Sequence, residues 1–327
     1  MKLTLPDNSS RELPKGSSGY DLAKDIGPGL AKSAVAITIN GVQKDLCDVI
    51  DKDASVSIIT IDSNDGIEIM RHTLTAQVLA RAIKNLYPNS KLAIGPTIED
   101  GFYYDVESDE VISSDDLTKI EDEMRRIIKT KSVITKKLVS KSEALKIFKS
   151  KKEPYKEIII NESDQMDSFQ LYFQDDENFV DLCRGPHLPS LSFIGAFKLT
   201  KVAGAYWKGD SNNSMLTRIY GTAFNSDKDL QNHLDNIEEA LKRDHRKIGK
   251  EMNLFHFQDE APGMVFWHPN GWTIYRNLRN FVRDKLQSNG YIEVNTPQVI
   301  DRKLWEASGH WDKYHENMFI TEIDEEH

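Results

Sequence analysis

Cysteine is nearly absent: among 327 residues there are only Cys47 and Cys183. Two thiols so far apart in sequence speak against a disulfide framework and fit a reducing compartment, where either residue acts as a thiol. No stretch approaches the roughly 18 uncharged apolar residues of a membrane span, and Met1-Lys2-Leu3-Thr4-Leu5-Pro6 meets a proline before an apolar signal core can form. The expected location is the cytoplasm. Internal repeats and low-complexity tracts are also lacking, and the composition excludes a collagen, a coiled coil and a disordered chain. Gly27-Pro28-Gly29 lacks the Gly-Lys-Ser/Thr end of a phosphate loop and reads as the end of a helix.

What is present is globular in composition, 39% apolar and 29% charged. At roughly 100–200 residues per domain it implies about two or three domains. The formal charge is −10, from 52 acidic and 42 basic side chains. That total argues only weakly against nucleic-acid binding, because phosphate contacts need local Lys and Arg. Locally, residues 97–124 hold eleven Asp/Glu against one Lys, and residues 129–152 hold nine Lys against one Glu. Lys242, Arg243, Arg246, Lys247 and Lys250 form a second basic cluster. Each cluster reads either as a solvated helix face or as a surface for an RNA backbone.

Along the chain, Leu3 and Leu5, then Ala34–Ile39, then Val56–Thr60 alternate as strands. Between the first two, Ser18 caps a helix with Asp21 in its first turn, and Asn40-Gly41 signals a hairpin. Further on, a helix is expected from about Thr75 to Leu86, and strands at Leu92–Ile94, Gly101–Val106 and Phe169–Phe173. A helix from Asp115 or Asp116 runs through Ile128, and a charged connecting helix covers 227–247. From 254 the texture turns aromatic.

The most informative stretch is Phe179-Val180-Asp181-Leu182-Cys183-Arg184-Gly185-Pro186-His187. Period-two spacing puts Asp181 and Cys183 on one strand face, and the Gly-Pro turn returns His187 toward them. Carboxylate, thiol and imidazole at one turn can bind zinc, activate a nucleophile or orient a water; an ordinary strand end with a buried cysteine has the same spelling. For zinc, His72 is the nearest further donor, and Cys-x-x-x-His alone is half a site. Lys156 on its own reads as a surface lysine, and Tyr104 as core.

Ala93-Ile94-Gly95-Pro96 with Gly101-Phe102-Tyr103-Tyr104-Asp105, followed by Asp181–His187, resembles the editing domain of the threonyl-tRNA synthetase family. The likeness continues in order through Ala203–Asp210, Arg218–Ala223, Arg243–Gly249, Glu260–His268 and Leu304–Trp311, and the first 60 residues resemble the family's ubiquitin-like TGS module. The implied fold is α+β and multidomain: a β-grasp TGS domain at 1–61, an α+β editing domain at 62–225, a linker helix at 226–247, and at 248–327 the opening of a class II synthetase antiparallel-sheet core. Within the last segment a helix Trp272 to Leu286 and a strand Tyr291–Pro297 are similar to the first, dimer-interface motif. The chain is then expected to stop before that core closes.

The resemblance implies a threonine–tRNA ligase whose editing domain hydrolyses mischarged Ser-tRNA(Thr). Its partners are tRNA(Thr) and, for the full-length enzyme, a second copy. No cofactor is expected in this part; ATP, Mg²⁺ and zinc belong to the parent, with ligands beyond this chain. The implied catalytic residues are Lys156, Asp181, His187, Cys183 and His72; the substrate-binding ones are Tyr104, Asp105, Gln77 and Thr73; no metal ligand is assigned. The family's site opens with H-x-x-x-H on its first helix. Here an ungapped register from Gly95-Pro96 and Gly101-Phe102 puts Thr73 and Gln77 in those slots, with His72 one residue early on a loop before a helix capped at Thr75. The alternative is an editing-inactive chain for tRNA binding and dimerisation.

Overall fold

In the computed structural model, which describes residues 1–165, 168–174 and 179–321, the chain divides into two compact units, Met1–Glu238 and Glu239–His327. Residues 322–327 of the expected fourth segment lie outside the described residues.

The first unit opens with a five-stranded sheet in the order Ser10–Glu12, Lys2–Thr4, Ala54–Thr60, Ala34–Ile39, Val42–Asp45, in which Lys2–Thr4 and Ala54–Thr60 run parallel. The helix Gly19–Ile26 covers it. Ser18 and Asp21 form a reciprocal capping box that satisfies two N-terminal donors, and Leu22 seals against Leu3, Ile37 and Val56. Burying an aliphatic side chain of this size stabilises by about 1.5–3 kcal/mol. Asn40 and Gly41 both take positive φ, 49° and 82°, as a type I′ hairpin requires.

Two further sheets build the rest of the unit. Ala196–Tyr206, Met215–Phe224, Gly101–Glu107 and Lys91–Leu92 form one; Ile134–Val139, Phe169–Gln174 and Val180–Leu182 form the other. The helix expected from Thr75 begins instead at Asn64, because Ser63 caps it by accepting from the Gly66 N–H. It continues through a π-helical turn, Leu74–Leu79, into Ala80–Leu86. His72 therefore sits in a helix and not on a preceding loop. Val35, Ala36 and Ile59 of the first sheet share one apolar cluster with Ile69, Met70 and Leu74 of this helix, so the N-terminal module packs directly on its neighbour.

The connecting helix runs Asp227–Lys242 and stops short of 247, where Asp244 caps a new helix, His245–Glu251. In the second unit the helix expected at Trp272–Leu286 spans Pro269–Ser288. The strand expected at 291–297 does not form. A strand needs a hydrogen-bonding partner, and here the side chains of Ile292 and Val294 stand in solvent with none beside them among the described residues. The only strand pair described in this unit is Phe255–His256 with Phe266–Trp267.

Candidate active site

A cavity of about 540 Å³ opens in the first unit. One wall is the helix face bearing His72 and Ala76, another the segment Ile94-Gly95-Pro96, and the others come from Lys156 and from the strand end holding Asp181 and Cys183. Gly95 has no substitute: a Cβ there would lie 2.3 Å from the Tyr104 ring and 2.5 Å from the Thr75 methyl.

Lys156 corrects the surface reading. The helix Pro154–Glu162 carries it inward, and it is only 3% exposed. Its Nζ lies 2.6 Å from Asp181 Oδ1 and donates to the Tyr104 hydroxyl at 3.2 Å. An ammonium has three protons, so one is left for the cavity. Burial works against the Lys156 charge, yet the Asp181 carboxylate and the Tyr104 oxygen outweigh it and hold the lysine above its ordinary value. Burial raises the Asp181 carboxyl, with Lys156 opposing. Tyr104 is pushed up first by burial and then by Asp181, and stays a neutral phenol. Asp181 Oδ1 also accepts from the Leu182 N–H at 2.8 Å, which leaves Oδ2 without a hydrogen bond among the described residues.

The second cluster gathers around Cys183. His72 Nε2 stands 2.8 Å from its Sγ, and the Gly185 N–H donates to the same sulfur at 3.4 Å. The His72 and His187 rings stack at 4.6 Å with 12° between their planes, and Tyr172 meets His187 edge-on at 4.3 Å. Burial depresses the His72 pKa and Lys156 adds to the effect, while Asp181 and Asp45 oppose it; the ring is neutral near pH 7.

Three of the expected substrate-binding residues lie elsewhere. Asp105 faces away from Tyr104, as neighbours in a strand must, and pairs in bidentate fashion with Arg218 at 2.7 and 2.8 Å. Gln77 is fully buried, where its carbonyls face Gln174 Nε2 at 2.6 Å (backbone) and 3.4 Å (side chain), and Ala76 lines the cavity in its place. Thr73 supports the site from behind: its hydroxyl meets His187 Nδ1 at 3.1 Å and accepts from the Leu188 N–H at 2.9 Å. The π turn explains the shift from the ungapped register. It accommodates one residue more than an α turn, so everything before Leu74 is set back by one, and His72 stands where an uninterrupted helix would present residue 73.

Residues 1–60 match the family described as the TGS domain. Residues 170–220, which include Asp181, Cys183 and His187, match the second additional domain of threonyl and alanyl tRNA synthetases. The threonine–tRNA ligase of Hahella chejuensis (strain KCTC 2396) is 50% identical over 323 residues, covering 99% of this chain and 50% of that protein. Those of Prochlorococcus marinus (strain MIT 9211) and Maricaulis maris (strain MCS10) are 49% and 50% identical over 98% and 100% of this chain, each again covering 50% of the relative. The chain belongs to the threonine–tRNA ligase family. It spans about half the length of the curated relatives it matches.

In this member of the threonine–tRNA ligase family, His72, Cys183 and His187 bring donor atoms within 4.8 Å of one another, one donor more than the Cys-x-x-x-His pair alone. Three protein ligands and a water make a catalytic zinc site. The spacing argues otherwise: at zinc–ligand lengths of about 2.1 and 2.3 Å, two ligands of one tetrahedral ion stand roughly 3.5 Å apart. His72 Nε2 and Cys183 Sγ are already in direct contact, and Ala76, one turn on, offers no ligand. Elemental analysis of protein purified without a metal-affinity tag is expected to find no stoichiometric zinc; one ion per chain would reverse this.

Sequence reasoning missed Asp45 and Tyr172. Tyr172 reads as one more alternating strand residue, and Asp45 reaches His187 from 142 residues away, so neither leaves a local signal. The two basic clusters are exposed apart from Lys136, which turns inward onto Asp45 and Asp48, and Lys141, whose partly buried ammonium reaches the Asn161 and Ser163 carbonyls. Among the described residues, no helix is long and apolar enough to cross a membrane.

Proposed function

We propose that this cavity hydrolyses the ester of Ser-tRNA(Thr), the editing reaction of a threonine–tRNA ligase. The observation that carries the reading is the buried Lys156–Asp181 pair bordering a cavity whose lining also holds a neutral imidazole, that of His72. A synthetic site that activates threonine discriminates against serine by one methyl group, worth only about 1–3 kcal/mol or 10–200-fold. A second pocket that admits serine and hydrolyses its ester supplies the rest.

In this reading the free Asp181 oxygen takes the ammonium or hydroxyl of the seryl group and fixes its orientation. The remaining Lys156 proton points to the oxygen that becomes negative as water adds to the ester carbonyl, the position where a placed donor contributes most. His72 accepts the proton of the attacking water and passes it on to the ribose oxygen, which departs as a hydroxyl when the carbonyl re-forms. Tyr104 and Cys183 shape the pocket, and His187 braces His72 by stacking. The absence of a second helical imidazole, with Ala76 in the cavity and Gln77 turned away, favours the other reading, a chain that binds tRNA without editing.

A 3′-seryl amide of adenosine, which cannot be hydrolysed, separates the two. In a Cys47→Ser background it is expected to bind and shield Cys183 from alkylation, while the threonyl amide does not. Equal shielding by both, or by neither, removes the editing reading.

For the whole enzyme we propose attachment of threonine to tRNA(Thr) with ATP and Mg²⁺, the family's zinc at the synthetic site, homodimerisation, and a cytoplasmic location. Residues 1–61, 62–225, 226–247 and 248–327 then serve as TGS, editing, linker and opening class II segments.

A further inference from the structure

Asp45 closes the strand Val42–Asp45 of the N-terminal sheet, yet all three of its side-chain donors come from the neighbouring domain. Oδ1 accepts from the His187 backbone N–H at 2.8 Å; Oδ2 accepts from the Tyr172 hydroxyl at 2.8 Å and from Lys136 Nζ at 2.9 Å. The carboxylate is 8% exposed. Only a carboxylate offers two charged acceptor oxygens to donors converging from a strand, a second strand and a turn. The turn that follows its strand holds it in place, since the Asp45 N–H donates to Asp48 and Asp48 shares Lys136.

The two groups that Asp45 grips decide where His187 sits. Tyr172 packs edge-on against the His187 ring, and the gripped N–H is that of His187 itself, just after the Gly185-Pro186 turn. His187 stacks on His72, whose Nε2 touches Cys183. A displacement at Asp45 is therefore passed through two ring contacts to the imidazole facing the cavity.

We propose that Asp45, a residue of the N-terminal module, is a positioning residue of the hydrolytic pocket: it fixes the Gly185–His187 turn and, through the His187–His72 stack, the imidazole at the cavity wall. The inference rests on the editing reading of the cavity. It gives the TGS module a part in the chemistry of its neighbour, beyond tethering or tRNA contact.

The test compares Asp45→Ala, Asp45→Asn and Lys136→Met. The lysine change removes an interface charge and leaves both bonds to the turn and Tyr172 in place, so it controls for simple loosening of the interface. Asp45→Ala is expected to lower the single-turnover rate constant for Ser-tRNA(Thr) by about tenfold or more, the order that misplacement of a catalytic group by a fraction of an ångström produces, with tRNA affinity unchanged. Asp45→Asn keeps one carbonyl acceptor and falls between, and Lys136→Met stays near wild type. A wild-type rate constant in Asp45→Ala, or an equal loss in Lys136→Met, overturns the proposal. Imidazole NMR gives a readout independent of turnover: the His187 and His72 ring signals move in Asp45→Ala and stay in Lys136→Met. Should the wild-type chain fail to hydrolyse the ester, the editing reading falls, and the ring signals still decide whether Asp45 positions them.

Discussion

Lys156→Ala is expected to slow hydrolysis of Ser-tRNA(Thr) by about 10²-fold or more, the loss that follows removal of one preorganised donor to a developing oxyanion. The same change strands Asp181, 2% exposed, without its counter-charge. Breaking a buried pair in this way costs about 3–5 kcal/mol. Activity and stability therefore fall together in the single variant and must be separated. Pairing Lys156→Met with Asp181→Asn replaces both charges, and the melting temperature should recover toward wild type while hydrolysis stays low. If hydrolysis recovers along with stability, Lys156 holds the fold and not the transition state.

Gly185→Ala has the largest expected effect on stability outside the charged pair. Gly185 takes φ +65°, where a side chain is strained by about 1–3 kcal/mol. An added Cβ would also fall 2.0 Å from the Tyr172 oxygen. That oxygen has little room to retreat, since it is tied to Asp45 at 2.8 Å and Gln170 at 3.0 Å in a buried side chain. Overpacking of this kind adds about 1–3 kcal/mol. At roughly 2–4 °C per kcal/mol for a unit of this size, the melting temperature should drop by about 5–20 °C. A thermal melt within a degree or so of wild type would show that the turn adopts another geometry.

Features written in adjacent residues were legible before any coordinates. Ser18 and Asp21 spell a helix start, Asn40-Gly41 spells the hairpin, and the alternation of Asp181 and Cys183 before Gly185-Pro186 places three chemical groups at one turn. Features that depend on distant partners were not. The burial of Lys156 follows from Tyr104, 52 residues earlier, and from Asp181 further on. The place of His72 depends on a π turn, which adds one residue inside an unbroken helix and so is invisible to an ungapped register. The family likeness named Lys156, Asp181, Cys183 and His72, which the structure brings to one cavity. It also carried over Asp105 and Gln77, which the strand alternation and the Gln174 contact direct elsewhere. Residues 291–297 show the complementary failure: a strand-like sequence stays irregular when no edge among the described residues pairs with it.

The central claim is that the cavity bounded by Lys156, Asp181, His72 and Cys183 breaks the seryl ester. Single-turnover hydrolysis of Ser-tRNA(Thr) by the wild-type chain, at enzyme in excess over tRNA and beside Thr-tRNA(Thr), measures it most directly. The account predicts a seryl rate well above the spontaneous one and at least about tenfold above the threonyl rate, the lower end of what one methyl group can discriminate. A seryl rate equal to spontaneous hydrolysis, or equal clearance of both esters, would contradict it.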